Sequence, residues 1–572
     1  MMTVRRLAFL LSCLLLLTAC APGGAPEPTP APEAEAWMHP DAQALKAELE
    51  ERFDAFVQAQ ARAESAYRGA GTAAVEAELR QSWAAALTGP PEALPDNPVD
   101  AWFQSLDALP ISGPDLGAVA RVWADAWHRE AEWAYAGLPY QRDYPRDAAA
   151  WEYVGAAQTA FEAFAEDWGA WCQLSASSAW DPENAGEPIH YGTSAVRLGH
   201  EGRRDAYRAM ALRMGAMMGW EGYGFCSADC AGELNGLDGV DIPIFSNPID
   251  GFFETADFLR GPTTLEGSWR AGLRANAWEE ELDHIYDGLE ADASPALTKW
   301  VVDVGQVRKD FRAFVAAQSE AEAYLNFTDA FGREDGSYGD TIGRGTGFGG
   351  GEAWYRMELV RAHVFDLYTM MSYPNYHLSD DFYFDPQKIV SQVEEAGLPF
   401  QPGVYAVDPQ RMDQPRTGSD NPIDDYFEVH PLSDSGVTMV MTERSALELD
   451  IWQAELEHAY DQLIARAHPT DPAPKQALER AREAYLKFAP EYGALDAYYR
   501  FSGAFLEECR ESDTWESLGR GTLAGPEQVG VTAALYHSQT LRLWEQIGRL
   551  GVEPGVQFDP AEWKERIEAV GE

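Results

Sequence analysis

A chain of 572 residues is longer than one ordinary hydrophobic core organises, so several domains or a repeat array are expected. Hydrophobic residues make up 46% of it and aromatics 12%, which excludes a disordered chain. The 43 Lys+Arg against 93 Asp+Glu leave a formal charge of -50. That excess argues against nucleic acid as a partner and leaves two sources of acidity open: attraction of a cationic protein, or a solvated surface suited to a salty or hot habitat.

Residues 1–19 carry Arg5 and Arg6, then a leucine-rich run shorter than the ~20 residues of a membrane span, then small residues. This is the pattern of an export signal. Its end, Leu17-Thr18-Ala19-Cys20, resembles a bacterial lipobox, so cleavage before Cys20 and a lipid on that thiol are expected. The expected location is the bacterial cell envelope, lipid-anchored to a membrane. Cleavage removes two arginines and no acid, which makes the remainder more acidic still. The Pro/Ala/Glu-rich stretch 20–40 is expected to stay extended as a linker.

Residues 41–90 contain "ERFDAFVQAQARAESAY", with Phe53 and Phe56 three apart on one helix side, and later Gly71-Thr72 before another helical stretch. This segment reads as a truncated leading helical unit. Three fuller units are expected after it, over 91–240, 241–415 and 416–572, because ordered features recur in each.

Each unit opens with Asn-Pro-x-Asp: Asn97 to Asp100, Asn247 to Asp250, and Asn421 to Asp424. The order suits the first positions of a helix. Asparagine caps, proline gives up an N–H that would be orphaned anyway, and the aspartate returns to the N-cap amide while meeting the positive end of the dipole. Capping accounts for these aspartates without a catalytic role. A longer helix follows, with Trp127, Ala131 and Tyr135, then Trp278, Leu282 and Tyr286, then Trp452, Leu456 and Tyr460 at four-residue intervals, so each trio lines one buried face. Glu130, Glu281 and Glu455 follow each tryptophan by three and are expected on a solvated flank or in a salt bridge. Trp133, His284 and His458 hold equivalent places and read as packing positions.

The next helix carries paired aromatics, Phe161 and Phe164, Phe311 and Phe314, Tyr485 and Phe488. A glycine-threonine step at 192–193, 345–346 and 521–522 introduces one more helix in each unit. Units two and three end in "FDP" phrases at Phe384 and Phe558, with Asp as N-cap and Pro at N1. In unit one, "GFCSADCAGELNGLDGVDIPIF" stands there. It lacks the ligand ladder of an EF-hand and reads as a polar turn.

With Cys13 in the signal and Cys20 assigned to lipid, Cys172, Cys226, Cys230 and Cys509 remain. Four thiols allow three full pairings. In an exported protein, a disulfide from Cys172 to Cys226 or Cys230 is expected in preference to a metal site.

The ordered features resemble the LprI-like lysozyme-inhibitor domain: an early helix ending in Tyr, a Q-x-x-aromatic-x-x-aromatic run with a later Cys, and a helix with a central Arg. The matching residues are Gln158, Phe161, Phe164 and Cys172 in unit one, and Arg361 in unit two, while Arg308 and Arg482 replace the glutamine later. The resemblance implies small helical exported modules, some of which bind and inhibit lysozyme.

Enzyme signatures are missing: there is no H-E-x-x-H, no G-K-[ST] after "GRGTGFGGGEAW", and no G-x-S-x-G. No catalytic residue, cofactor or metal is expected. Trp171 in "AWCQ" and the aromatics of "GWEGYGF" are the weak candidates for an exposed sugar-binding surface. The expectation is an all-α fold of tandem helical bundles. The expected role is binding, with a cationic protein such as lysozyme as partner. A carbohydrate- or peptidoglycan-binding or carbohydrate-active protein and a structural envelope protein are the alternatives.

Overall fold

The computed structural model describes residues 40–88, 97–113, 115–141, 144–145, 148–176, 193–219, 224–258, 264–339, 344–372, 382–408, 421–429, 438–519 and 523–571. The signal, Cys13, Cys20 and most of the linker lie outside them. The fold is all-α: among the described residues the strands are two residues long, β1 (Ile244–Phe245) and β2 (Ala406–Val407). The chain divides into two compact units, Met1–Ile244 with Val404–Asp408, and Phe245–Gly403 with Pro409–Glu572.

The first unit contains α1 (Pro40–Arg68), α2 (Thr72–Thr88), α3 (Pro98–Ser105), α4 (Leu116–Gly137), α5 (Ala148–Ala176), α6 (Thr193–Met218) and α7 (Ser227–Leu234). Helix α1 lies along α5, α6 packs on both α4 and α5, and α2 packs on α1. The leading segment therefore shares its core with residues 91–240. At the centre, Phe56 stacks on Phe164 at 5.4 Å and 10° and meets Phe161 at 5.3 Å, with Trp83 edge-on at 5.0 Å. Aromatic pairs in these offset and edge geometries add to the burial that drives the assembly. Where α5 and α6 meet, Gly202 makes the approach possible: a Cβ there would stand 2.7 Å from Cys172 Sγ. Residues Val404–Asp408 return to this unit, with the Ala406 amide donating to Pro243 O and Trp102 Nε1 donating to Tyr405 O.

The second unit contains α8 (Pro248–Thr255), α9 (Thr264–Asp292), α10 (Pro295–Trp300), α11 (Val304–Phe327), α12 (Phe348–Met371), α13 (Pro386–Glu395), α14 (Pro422–Val429), α15 (Thr438–Arg466), α16 (Pro472–Phe501), α17 (Ala524–Arg549) and α18 (Pro560–Gly571). Helix α9 packs on α12, α15 on α17, and α11 on α16. The helices of 241–415 and 416–572 thus build one compact body. The α11/α16 seam uses the same residue types as α1/α5, with Phe311 against Phe488 at 5.0 Å and Phe314 against Tyr485 at 4.6 Å. Each of these helices carries a three-spaced pair of aromatic rings. Pairing two such helices buries all of them, because ring area removed from water is the dominant gain.

Candidate functional site

The three Asn-Pro-x-Asp phrases each begin a helix. Asn97 Oδ1 accepts from the amides of Val99 and Asp100, Asn247 Oδ1 from Asp250, and Asn421 Oδ1 from Ile423 and Asp424. Among the described contacts, the aspartates take the cap's side-chain amide, not its backbone amide: Asn247 Nδ2 donates to Asp250 Oδ2 at 2.8 Å and Asn421 Nδ2 to Asp424 Oδ2 at 2.5 Å.

Each aspartate also has a partner from a distant helix. Arg208 Nε on α6 donates to Asp100 Oδ2 at 2.6 Å, and both residues are buried. The other oxygen of Asp100 receives the indole N–H groups of Trp127 at 2.9 Å and Trp123 at 3.2 Å. In the second unit, Arg361 Nε on α12 donates to Asp250 Oδ2 at 2.7 Å, and Arg274 replaces the tryptophan donors on Oδ1 at 2.8 Å. Burial alone would raise the Asp250 carboxyl, but Arg361 and Arg274 outweigh it and hold the pKa below its ordinary value. At the third phrase the distant partner is His537 on α17, 3.1 Å from Asp424 Oδ2, its ring stacked on Trp452 at 4.0 Å. The guanidiniums of Arg208 and Arg361 lie over Trp127 and Trp278 in the corresponding way, at 5.8 and 5.7 Å. These aspartates tie a cap to a distant cation that lies against a core tryptophan; Asp100 and Asp250 are buried, and Asp424 is part-exposed. Trp127, Tyr135, Trp278, Tyr286, Trp452 and Tyr460 are all buried.

The glutamates depart from the sequence reading: Glu130, Glu281 and Glu455 are buried at 4%, 1% and 1% exposure, not on a solvated flank. Their partners are backbone groups of the segment that follows the last long helix. Glu130 accepts from the Gly224 amide, Glu281 from the Tyr383 amide and the Tyr368 hydroxyl, and Glu455 from the amides of Gln557 and Phe558. Those segments place Phe225, Phe384 and Phe558 against the first short helix of each set, on Trp102, Phe252 and Tyr426. A carboxylate is buried where backbone donors would otherwise be orphaned, which a count of charges along the helix does not reveal. Trp133 and His284 differ too. Both are exposed, Trp133 packing on Gly224 and His284 stacking on Tyr383 at 4.7 Å, while His458 is part-buried.

A further buried chain of hydrogen bonds was missed from sequence. Tyr135 donates to Gln60, Gln60 to Glu64, and Arg213 grips Glu64 through two bonds of 2.7 Å. In the second unit Tyr460 donates to Gln318, Gln318 to Glu322, and Arg542 holds Glu322 at 2.6 and 2.9 Å. The signal was a Gln-x-x-x-Glu step four residues after Phe56 and Phe314.

The expected Cys172 disulfide is not formed; Cys172, Cys226, Cys230 and Cys509 carry thiols. Cys172 Sγ is committed to the α5/α6 crossing beside Gly202. Cys230 is buried on α7, where Arg129 donates to its sulfur at 3.3 Å, and burial pushes its thiol up to about 12. Cys226 lies at the start of the same helix, its thiol facing Val407 O at 3.8 Å.

Among the described residues, the surfaces that could bind a partner include a cavity and an exposed aromatic pair. A cavity of about 180 Å³ in the second unit is lined by Glu279, Leu282, Phe311, Arg312, Arg356 and Val360, and its arginines are paired with Asp283 and Glu279. In the first unit, Tyr140 and Trp151 are exposed at 72% and 45% with their rings edge-on at 5.4 Å. Trp171 is buried, and Trp220 and Tyr223 lie outside the described residues. No described helix is long and apolar enough to cross a membrane. No family model, curated protein or solved structure matches the chain.

Proposed function

We propose that the chain is a lipid-anchored envelope protein, attached through Cys20, whose anionic helical body binds a cationic protein partner. Inhibition of a lysozyme-type muramidase, as the LprI-like resemblance implies, is the specific form of this reading. The supporting observation is how charge is distributed. The buried cations are matched by internal carboxylates, Arg208 by Asp100, Arg213 by Glu64 and Arg542 by Glu322, so they do nothing to offset the excess outside. Most of the formal charge of -50 therefore presents itself to solvent, where it speeds encounter with a basic surface.

The test uses the unlipidated chain, with the signal removed and Cys20→Ser, in a muramidase assay and a binding titration against lysozyme. Inhibition at low salt that weakens steeply as salt is raised supports the reading. Unchanged lysozyme activity at low salt refutes it.

A second reading is binding of cell-wall carbohydrate, favoured by the exposed Tyr140–Trp151 pair, since aromatic faces stack on sugar rings. Cosedimentation with purified peptidoglycan that is lost in Trp151→Ala would establish it in place of the first.

A further inference from the structure

Three side chains of metal-binding type converge in the first unit. His128 and Glu132 stand four residues apart on α4 and so share a helix face, and Glu162 reaches them from α5. One ligand atom from each lies within 4.8 Å of the others. His128 Nε2 and Glu132 Oε1 are 3.8 Å apart, too far for a hydrogen bond. The distance suits two atoms held by one ion, because ligands at ~2.0–2.2 Å from a shared metal are separated by no more than about 4.4 Å.

Two further observations separate this group from an ordinary surface ion pair. His128 Nε2 is shielded from solvent and has no hydrogen-bond partner among the described residues, a state that costs free energy unless something fills it. The ligands are also supported from behind: the imidazole packs on the Tyr207 ring at 4.5 Å, and Gln158 Nε2 donates to Glu162 Oε1 at 2.9 Å, as outer partners of metal carboxylates do.

We propose that His128, Glu132 and Glu162 form a binding site for a divalent transition-metal ion of the zinc class. One imidazole nitrogen with two carboxylates is a donor set for zinc or its neighbours, whereas magnesium and calcium favour oxygen alone. Three protein ligands leave a fourth position open to water or to a group from a partner. The anionic field of the whole chain raises the local concentration of any such cation.

The test is a titration of the chelator-treated chain with Co²⁺, read by its visible absorption, and with Zn²⁺, read by calorimetry, both in excess Mg²⁺. One saturable equivalent is expected, with a spectrum lacking thiolate charge transfer. Glu132→Gln changes an exposed side chain and His128→Asn a part-exposed one, and each should weaken binding at least about tenfold with an unchanged circular dichroism spectrum. Absence of a saturable equivalent, or the same affinity in both variants as in the parent, would overturn the site and assign any bound ion to scattered carboxylates or thiols.

Discussion

His537 faces Asp424 at 3.1 Å in the place where Arg208 and Arg361 meet Asp100 and Asp250 at 2.6 and 2.7 Å. A guanidinium keeps its charge at every working pH and presents a rigid fork of donors to a carboxylate, which an imidazole does not. Burial pushes the Asp424 carboxyl up, but His537 and Asn421 outweigh it and leave the pKa lowered. Its stabilising effect is thus complete above the ordinary 3.8 and lost as pH falls through the lower folded value.

The third node should therefore gain from an arginine. His537→Arg is expected to stabilise the chain at pH 8 by up to about 1 kcal/mol, the scale of a part-exposed pair. The gain should shrink as pH falls below 3.8 and the Asp424 carboxylate takes up its proton. Urea unfolding of parent and variant from pH 8 down through that range checks this, and a gain independent of pH would count against it.

The buried Asp100–Arg208 pair makes an opposite kind of prediction. Arg208→Met strands a carboxylate whose remaining donors are its cap and two indoles, and should cost about 3–5 kcal/mol in urea unfolding followed by tryptophan fluorescence. Asp100→Asn combined with Arg208→Met removes both charges and should recover a large part of that loss. If the double variant is no better than the single one, the ion pair is not what holds α3 to α6.

Much of this is legible in the amino-acid sequence. The all-α fold follows from helix-spaced aromatics, and the starts of α3, α8 and α14 follow from Asn-Pro-x-Asp, because capping is local chemistry. What joins distant helices was not readable. Arg208, Arg361 and His537 belong to one kind of contact, yet their sequence neighbourhoods differ and only the fold brings each to its aspartate. Glu130, Glu281 and Glu455 were misplaced because helix periodicity reports a side chain's angle about the axis, not the chain segment that returns to cover it. The sharing of one core by 241–415 and 416–572 was hidden for a related reason: repetition in sequence says that units are alike, not that they pack together.

The α5/α6 crossing can be tested by filling it. Gly202→Ala places a methyl 2.7 Å from Cys172 Sγ and 2.9 Å from its Cβ, inside contact distance, and overpacking of this kind costs about 1–3 kcal/mol. Cys172→Ala removes the obstructing sulfur, so the double variant should be more stable than Gly202→Ala alone. Thermal unfolding of the four proteins gives the coupling directly, and simple additivity would mean that the two helices do not meet there.

Glu455 gives the clearest dependence on pH. The amides of Gln557 and Phe558 favour its charged form, one of its oxygens has no partner among the described residues, and burial outweighs the amides and pushes the carboxyl up to about 7. Between the ordinary 4.5 and about 7, the folded chain keeps a proton that the unfolded chain has released. The contribution to stability is therefore full below 4.5, falls as pH rises through that window, and is gone above it. Glu455→Gln keeps an acceptor for the two amides and carries no charge. It should match the parent near pH 4 and exceed it at pH 8, with the difference growing between those values in urea unfolding. Glu281→Gln should show a smaller change, because the Tyr368 hydroxyl and the Tyr383 amide already satisfy both of its oxygens. Parallel pH profiles for parent and Glu455→Gln would mean that Glu455 is ionised in the folded chain, and that a donor or water reaches its second oxygen.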